Sequence, residues 1–311
     1  MSARVAIVGA GISGAACANV LAASGISVGV LDRGRAPGGR MASPTVHGRR
    51  VDLGAAYFTV KDPDFAGLVD AWAQRGLARE WTDTFDAYGL DGHSAKSGPA
   101  RWAASDGLRS LVRDLLPAAE LSHEVVDLAD LDHDAVVLAM PDPQAARMLP
   151  ADAIEWVTYE PVIAVALGYE RREWSFDAAF VNDDPDLTLI ADDGSRRGDG
   201  AAVLVAHTTS ELASQHLADP SGVGQTVADA VTRLLGLVVP SQWTYAHRWT
   251  FAKPAGTHGG APYGLVDGGL IEGNRLIGLC NDSWCPEGSP RVESAWLSGR
   301  RLGIELANRL T

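Results

Sequence analysis

Cysteine is scarce in this chain of 311 residues: Cys17, Cys280 and Cys285 cannot make a disulfide framework, and a reducing cytoplasm is the expected setting. Cys280 and Cys285 stand in a Cys-x4-Cys spacing, but a second pair or neighbouring histidines, which a metal site would need, are missing. His207, His216, His247 and His258 show no zinc-ligand spacing either. Uninterrupted apolar runs of about 18 residues are absent, so no membrane span is expected. The apolar N-terminus with Arg4 is not expected to be a signal peptide, because glycines at 9, 11, 14 and 25 interrupt it. Positive charge is the minority sign: 26 Lys and Arg against 39 Asp and Glu leave −13. That excess argues against a broad nucleic-acid or anionic-membrane surface while leaving room for a local basic pocket. No internal repeat or low-complexity tract is present. Hydrophobic content of 46% and charged content of 21% are ordinary for a globular chain long enough for two domains.

What is present is concentrated in residues 4–41. Val5 to Val8 is a short β-branched run, followed by Gly9, Gly11 and Gly14 as G-x-G-x-x-G, a small-residue helical run to Ser24, and Gly25 as its C-cap. A second strand follows from Ile26 and ends at Asp32. The first glycine allows the turn, the second lets backbone approach a pyrophosphate, and the third lets helix pack on strand, while Asp32 can accept from ribose hydroxyls. Strand, glycine turn, helix, strand and acid together define a dinucleotide site. The segment Arg35, Gly38, Gly39, Arg40 just beyond resembles the GG-type flavoprotein pattern, which moves the expectation from NAD to FAD.

Further along, Val51 to Thr59 places Gly54 before Tyr57 and Phe58. Residues 62–76 carry apolar side chains at helical spacing after Asp62 and Pro63. Strand patterns are expected at 78–88, 120–128 and 135–141, a loop at 93–98, and helices at 108–116 and 142–149. From 162 to 249 the pattern is strands and turns with one helix at 223–235, Asp192 to Gly194 being a turn and the acidic clusters a solvated surface. Residues 242–252 alternate, with His247, Trp249 and Phe251 on one face and Arg248 on the other. A hairpin is expected through Gly273 and Asn274. Ser289 and Pro290 open a terminal helix.

Taken in order, the glycine turn, the Gly38-Gly39-Arg40 loop, Asp52 to Phe58, Val136 to Pro141, His247-Arg248-Trp249, and Asp282 with Val292 to Gly299 resemble the renalase-like branch of the FAD-dependent amine-oxidase superfamily. The resemblance implies an α/β fold: a Rossmann-like FAD-binding domain with a parallel sheet, plus a second domain on an antiparallel sheet that faces the flavin. The expected division gives 1–60, 97–148 and 271–311 to the FAD-binding domain, and 61–96 and 149–270 to the substrate domain. FAD would meet Gly9, Gly11, Ile12, Ser13 and Gly14 at the turn, then Asp32, Arg33, Arg35, Gly39, Arg40 and Met41. It would also meet Gly54, Ala55, Val125, Asp282 and the amide of Val292. Tyr57, Phe58, His247 and Trp249 are the substrate-pocket candidates, and His247 is equally readable as a structural histidine.

Three departures stand out. Asn281 occupies a position where the resemblance leads one to expect glycine, residues 102–107 differ from the branch's loop, and neither Lys61 nor Lys96 matches the lysine that amine oxidases place below the flavin. The implied activity is an oxidase that takes a hydride from a small reduced substrate, misreduced NAD(P)H isomers in the renalase-like case, and yields peroxide. An amine oxidase, a dehydrogenase or desaturase with another acceptor, and a non-catalytic flavin-binding protein stay open. No metal, nucleic acid or membrane partner is expected, and the oligomeric state is not legible.

Overall fold

A computed structural model describes residues 3–116, 121–122, 126–266, 275–286 and 288–311. In chain order the first half forms β1 (Arg4–Val8), α1 (Ile12–Ala23), β2 (Ser27–Leu31), β3 (Thr45–Val46), β4 (Arg49–Arg50), α2 (Pro63–Gln74), β5 (Arg79–Gly89), β6 (Gly92–Ala103), α3 (Arg109–Leu115), β7 (Leu121–Ser122), β8 (Ala135–Leu138) and α4 (Asp142–Ala145). The second half forms β9 (Tyr159–Gly168), β10 (Ala178–Val181), β11 (Leu187–Asp192), α5 (Asp193–Arg197), β12 (Val203–Thr208), α6 (Ser210–Gln215), α7 (Gly224–Leu235), β13 (Trp243–Pro254), β14 (Gly264–Val266), β15 (Leu276–Leu279) and α8 (Val292–Leu310). The chain divides into two compact units, one of residues 1–41, 109–159 and 253–311, the other of 42–108 and 160–252.

The first unit is built on a six-stranded sheet in the order β14-β15-β8-β1-β2-β7. β1 runs parallel to β2 and β8, β15 runs parallel to β8 and β7 to β2, and among the described residues the edge strand β14 alone is antiparallel to its neighbour. Period-two alternation explains why these strands are apolar throughout: Val5 and Ile7 enter one core, Ala6 the core on the opposite face, and both faces are covered. α1 is made of small residues, and this lets α8 approach it closely. A Cβ on Gly299 would lie 1.9 Å from the Ser13 carbonyl oxygen, and one on Gly303 only 2.9 Å from Val20. The C-terminal helix is thereby seated on the helix that follows the glycine turn.

The second unit holds a seven-stranded sheet in the order β13-β9-β12-β11-β10-β5-β6. β9, β12, β11 and β10 are successively antiparallel, as are β5 and β6, while β10 runs parallel to β5. On β9 the large residues Ile163, Val165 and Leu167 face α7, while Ala164 and Ala166 face the other way and pack beneath Val46, Val51 and Leu53.

Several expectations are corrected. Residues 93–98 are strand, not loop: β6 is an edge strand with a polar, exposed outer half, so apolar periodicity gives no signal there. Residues 192–194 do not form a surface turn. Asp192 caps the short helix α5 by accepting from the Ser195 amide, and both Asp192 and Asp193 are wholly buried. α8 begins at Val292 with Arg291 as its N-cap, later than Ser289. The contact division puts 42–60 and 97–108 in the second unit, because β6 pairs with β5 and Val46, Val51 and Leu53 pack on β9. It puts 149–159 and 253–270 in the first. The expected hairpin at 273–274 lies outside the described residues.

Candidate active site

In the first unit β1 ends in the glycine turn, and each glycine has a different reason. Gly9 is at φ +114°, and a Cβ there would come within 2.3 Å of the Ala139 carbonyl oxygen. A Cβ on Gly14 would come within 2.0 Å of the Gly9 carbonyl oxygen. Gly11 is different: it caps α1 with φ −80°, a conformation open to any residue, and its Cβ position has nothing within 4 Å. No side chain caps α1, and its first turn carries no acid. The turn therefore presents an uncapped helix start behind open space, the arrangement that receives a pyrophosphate. Ile12, Ser13 and Gly14 form the buried first turn of α1.

Asp32 follows β2, and its carboxylate ties the site together. One oxygen accepts from the Ala10 amide at 2.7 Å and the other from the Gly34 amide at 2.6 Å. Each oxygen keeps lone-pair capacity for a further donor. Arg33 and Arg35 are exposed. Gly38 donates to the Ala10 carbonyl at 2.8 Å, and a Cβ on Gly39 would lie 3.3 Å from the Gly11 Cα, so this second glycine loop lies directly on the first. Met41 is buried at its end.

Arg40 and Asp282 meet as a bidentate pair, Nη1 to Oδ2 at 2.8 Å and Nη2 to Oδ1 at 2.5 Å. The sequence separates them by 242 positions. Burial works against the Arg40 charge, but the Asp282 carboxylate outweighs it and holds the guanidinium above its ordinary value. Val292 is the first residue of α8, whose N-cap has no side-chain bond. Glu293 in that first turn is buried and paired with Arg291 at 3.1 Å, so the positive potential of this helix end is partly offset by a neighbouring acid. Val125 lies outside the described residues.

These residues fit FAD. Open space before an uncapped helix start, steric closure behind it, a carboxylate beside the turn and a partly exposed cation next to Gly39 match a dinucleotide with an anionic centre and ribose hydroxyls.

The second unit holds the remaining candidates. Gly54 and Ala55 are half-buried in a segment whose carbonyls are gripped from behind. Arg196 donates to the Asp52 and Ala56 carbonyls at 3.0 and 3.1 Å, and Trp249 Nε1 donates to the Leu53 carbonyl at 2.6 Å. Arg196 is wholly buried and also donates to Asp193 at 2.5 Å. Burial disfavours its charge, yet Asp193 and Asp52 raise its affinity for the proton. Tyr57 is half-buried, edge-on to Phe85, with the Arg101 guanidinium 5.6 Å from its ring. Phe58 is corrected: it is 2% exposed and packed among Phe65, Trp72 and Trp102, so it is core and not pocket. His247 and Trp249 contact each other, centroids 4.4 Å apart, both half-buried on the same face of β13.

Asp142, Tyr159, Asp193, Arg196 and His258 gave no functional signal in the sequence. For Asp193 and Arg196 the three-residue spacing within α5 was available, but it is indistinguishable from a surface pair without knowledge of burial. His258 pairs with Asp142 at 2.6 Å and lines a pocket of about 470 Å³ in the first unit, together with Trp156, Thr158 and Trp284.

The model of the NAD(P)-binding Rossmann-like domain matches residues 7–72, and that of the flavin containing amine oxidoreductases matches residues 117–302. The chain belongs to the flavin containing amine oxidoreductase family, and FAD is the cofactor of that family. Among solved structures, a protoporphyrinogen oxidase candidate from Exiguobacterium sp. 255-15 superimposes with TM-score 0.76 at 14% identity over 99% of both chains. Cyclohexylamine oxidase from Brevibacterium oxydans IH-35A gives 0.73 at 14% identity over 100% of both. A hydroxyneurosporene desaturase from Rubrivivax gelatinosus is 45% identical over 58 residues, 19% of this chain and 11% of that protein. The structural likenesses establish the fold, and the desaturase match covers only a small share of either chain. The protein is an FAD-dependent oxidoreductase with a Rossmann-like domain. No helix among the described residues is long and apolar enough to cross a membrane.

Proposed function

We propose that this oxidoreductase is an oxidase that takes a hydride from a small reduced substrate and passes the electrons to oxygen as peroxide. Bound FAD supplies the two-electron acceptor. The observation that carries the reading is the cradle of the first unit: the open Gly11 turn, the Gly38-Gly39 loop lying on it, and the Arg40–Asp282 pair. The amides of the first turn of α1 neutralise and orient an anionic group. Asp32 accepts from ribose hydroxyls with the lone pairs its backbone bonds leave over. Tyr57, His247 and Trp249, half-buried in the second unit, are the groups proposed to orient the substrate.

The substrate class proposed is a dihydronicotinamide isomer, supported by the His247-Arg248-Trp249 segment and the resemblance to renalases. An amine substrate is the second reading, supported by the whole-length likeness of fold to cyclohexylamine oxidase. The N-terminal similarity to a desaturase leaves another electron acceptor in play. Anaerobic mixing of the purified yellow protein with a panel of dihydronicotinamide isomers and amines tests the substrate. Bleaching by a dihydronicotinamide isomer is expected. Bleaching by amines alone would establish the second reading, and no bleaching by any compound would overturn both. Stoichiometric peroxide on readmission of air separates an oxidase from a dehydrogenase.

A further inference from the structure

We infer that Asn281 is a positioning residue for the Arg40–Asp282 pair, acting through a buried polar knot centred on Asp142. The inference rests on reading that pair as part of the FAD site. Asn281 is the residue that stands where the resemblance leads one to expect glycine. Its side chain is far from idle: it is 3% exposed and every bonding capacity is used. Nδ2 donates to the Met140 carbonyl and to Asp142 Oδ1, both at 2.9 Å. Oδ1 accepts from the Ser283 amide at 2.7 Å, the Ser283 hydroxyl at 2.5 Å and the Tyr159 hydroxyl at 3.4 Å.

Asp142 is wholly buried and accepts from Asn281, from the Val157 amide at 3.0 Å and from His258 Nε2 at 2.6 Å. The Ser283 hydroxyl, whose one proton goes to Asn281 Oδ1, lies 3.4 Å from the same carboxylate. His258 in turn stacks on Trp284, with centroids 3.6 Å apart. A glycine at 281 would bring none of the side-chain bonds. In this chain Asn281 crosslinks the exit of β8, the first residue of β9 and the 281–283 turn.

Asn281 reaches both members of the pair. Asp282 is its neighbour in the chain, so fixing the 281–283 turn fixes the direction of that carboxylate. Tyr159 holds its hydroxyl toward Asn281 and its ring 5.7 Å from the Arg40 guanidinium. Burial, reinforced by Asp282, pushes the Tyr159 phenol well above its ordinary value, so it remains a neutral donor. Truncating Asn281 leaves Arg40 and Asp282 present but no longer aimed.

The test is a double-mutant cycle read by titrating FAD into apo-protein, with Asn281→Ala, Asp282→Ala and the double variant. Each single variant is expected to weaken FAD about tenfold, the size of a lost charge-assisted hydrogen bond. The double variant is expected to be no weaker than Asp282→Ala alone, because Asn281 acts through Asp282. An equal loss from Asn281→Ala in both backgrounds would show general loosening and overturn the inference. No loss from Asn281→Ala beside a clear loss from Asp282→Ala would overturn it too, with the FAD site intact. No loss from Asp282→Ala would overturn the reading of the site itself. If Asn281→Ala does not fold, Ser283→Ala, which removes one hydroxyl from the knot, goes through the same cycle and must show the same coupling at smaller amplitude.

Discussion

At the scale of single residues, buried charge decides more than exposed charge. Arg196 has no exposure and holds two main-chain carbonyls and Asp193. Arg196→Met would leave the Asp52 and Ala56 carbonyls without their guanidinium donor while Arg49 and Arg197 still pair with Asp193 and Arg197 with Asp52, at about 2 kcal/mol, the cost of unsatisfied buried acceptors. Urea unfolding should show that loss, and a midpoint within error of wild type would contradict it. The thiols make a second test. Burial pushes the Cys280 thiol up to about 12 and raises Cys17 well above its ordinary value. A raised thiol pKa means the native state holds its proton more tightly than the unfolded chain. Its contribution is therefore whole below the ordinary thiol range and is lost as pH rises through the native value. A thiol reagent at pH 8 should leave both cysteines unmodified until the protein unfolds, and fast native modification would refute their burial. Residue roles were the least legible part of the sequence. The glycines and Asp32 could be read because local geometry requires them, whereas Asn281, Asp142 and Arg196 act through partners more than a hundred positions away.

At the scale of elements, what sequence periodicity reveals depends on burial. β1, β8 and α7 were legible because apolar residues repeat at the spacing of one or two covered faces. β6 was not, because an edge strand with a polar outer half carries no such repeat. α5 reads as a turn in the sequence because Asp192 and Asp193 look solvated there, whereas in the fold they cap and pair inside. The α1–α8 contact yields a sharp prediction. Gly299→Ala would drive a methyl into the Ser13 carbonyl and force the helices apart, at about 1–3 kcal/mol. Thermal unfolding should shift down by several degrees, and FAD affinity should fall with it, since Ser13 is in the first turn of α1. An unchanged melting temperature would mean that α8 is not seated there.

At the scale of the whole molecule, family membership and cofactor follow from the match of residues 117–302 to the flavin containing amine oxidoreductases. The central claim is that the first unit holds FAD with its anionic centre at the Gly11 turn. Gly11 allows this to be separated from folding, since its conformation suits any residue and nothing occupies its Cβ position. The direct measurement is fluorescence titration of FAD into wild-type and Gly11→Ala apo-proteins, with thermal unfolding of each. The expected result is equal melting temperature and about tenfold weaker FAD binding in Gly11→Ala, whose methyl occupies the space the pyrophosphate needs. Equal FAD affinity in the two proteins would contradict the account.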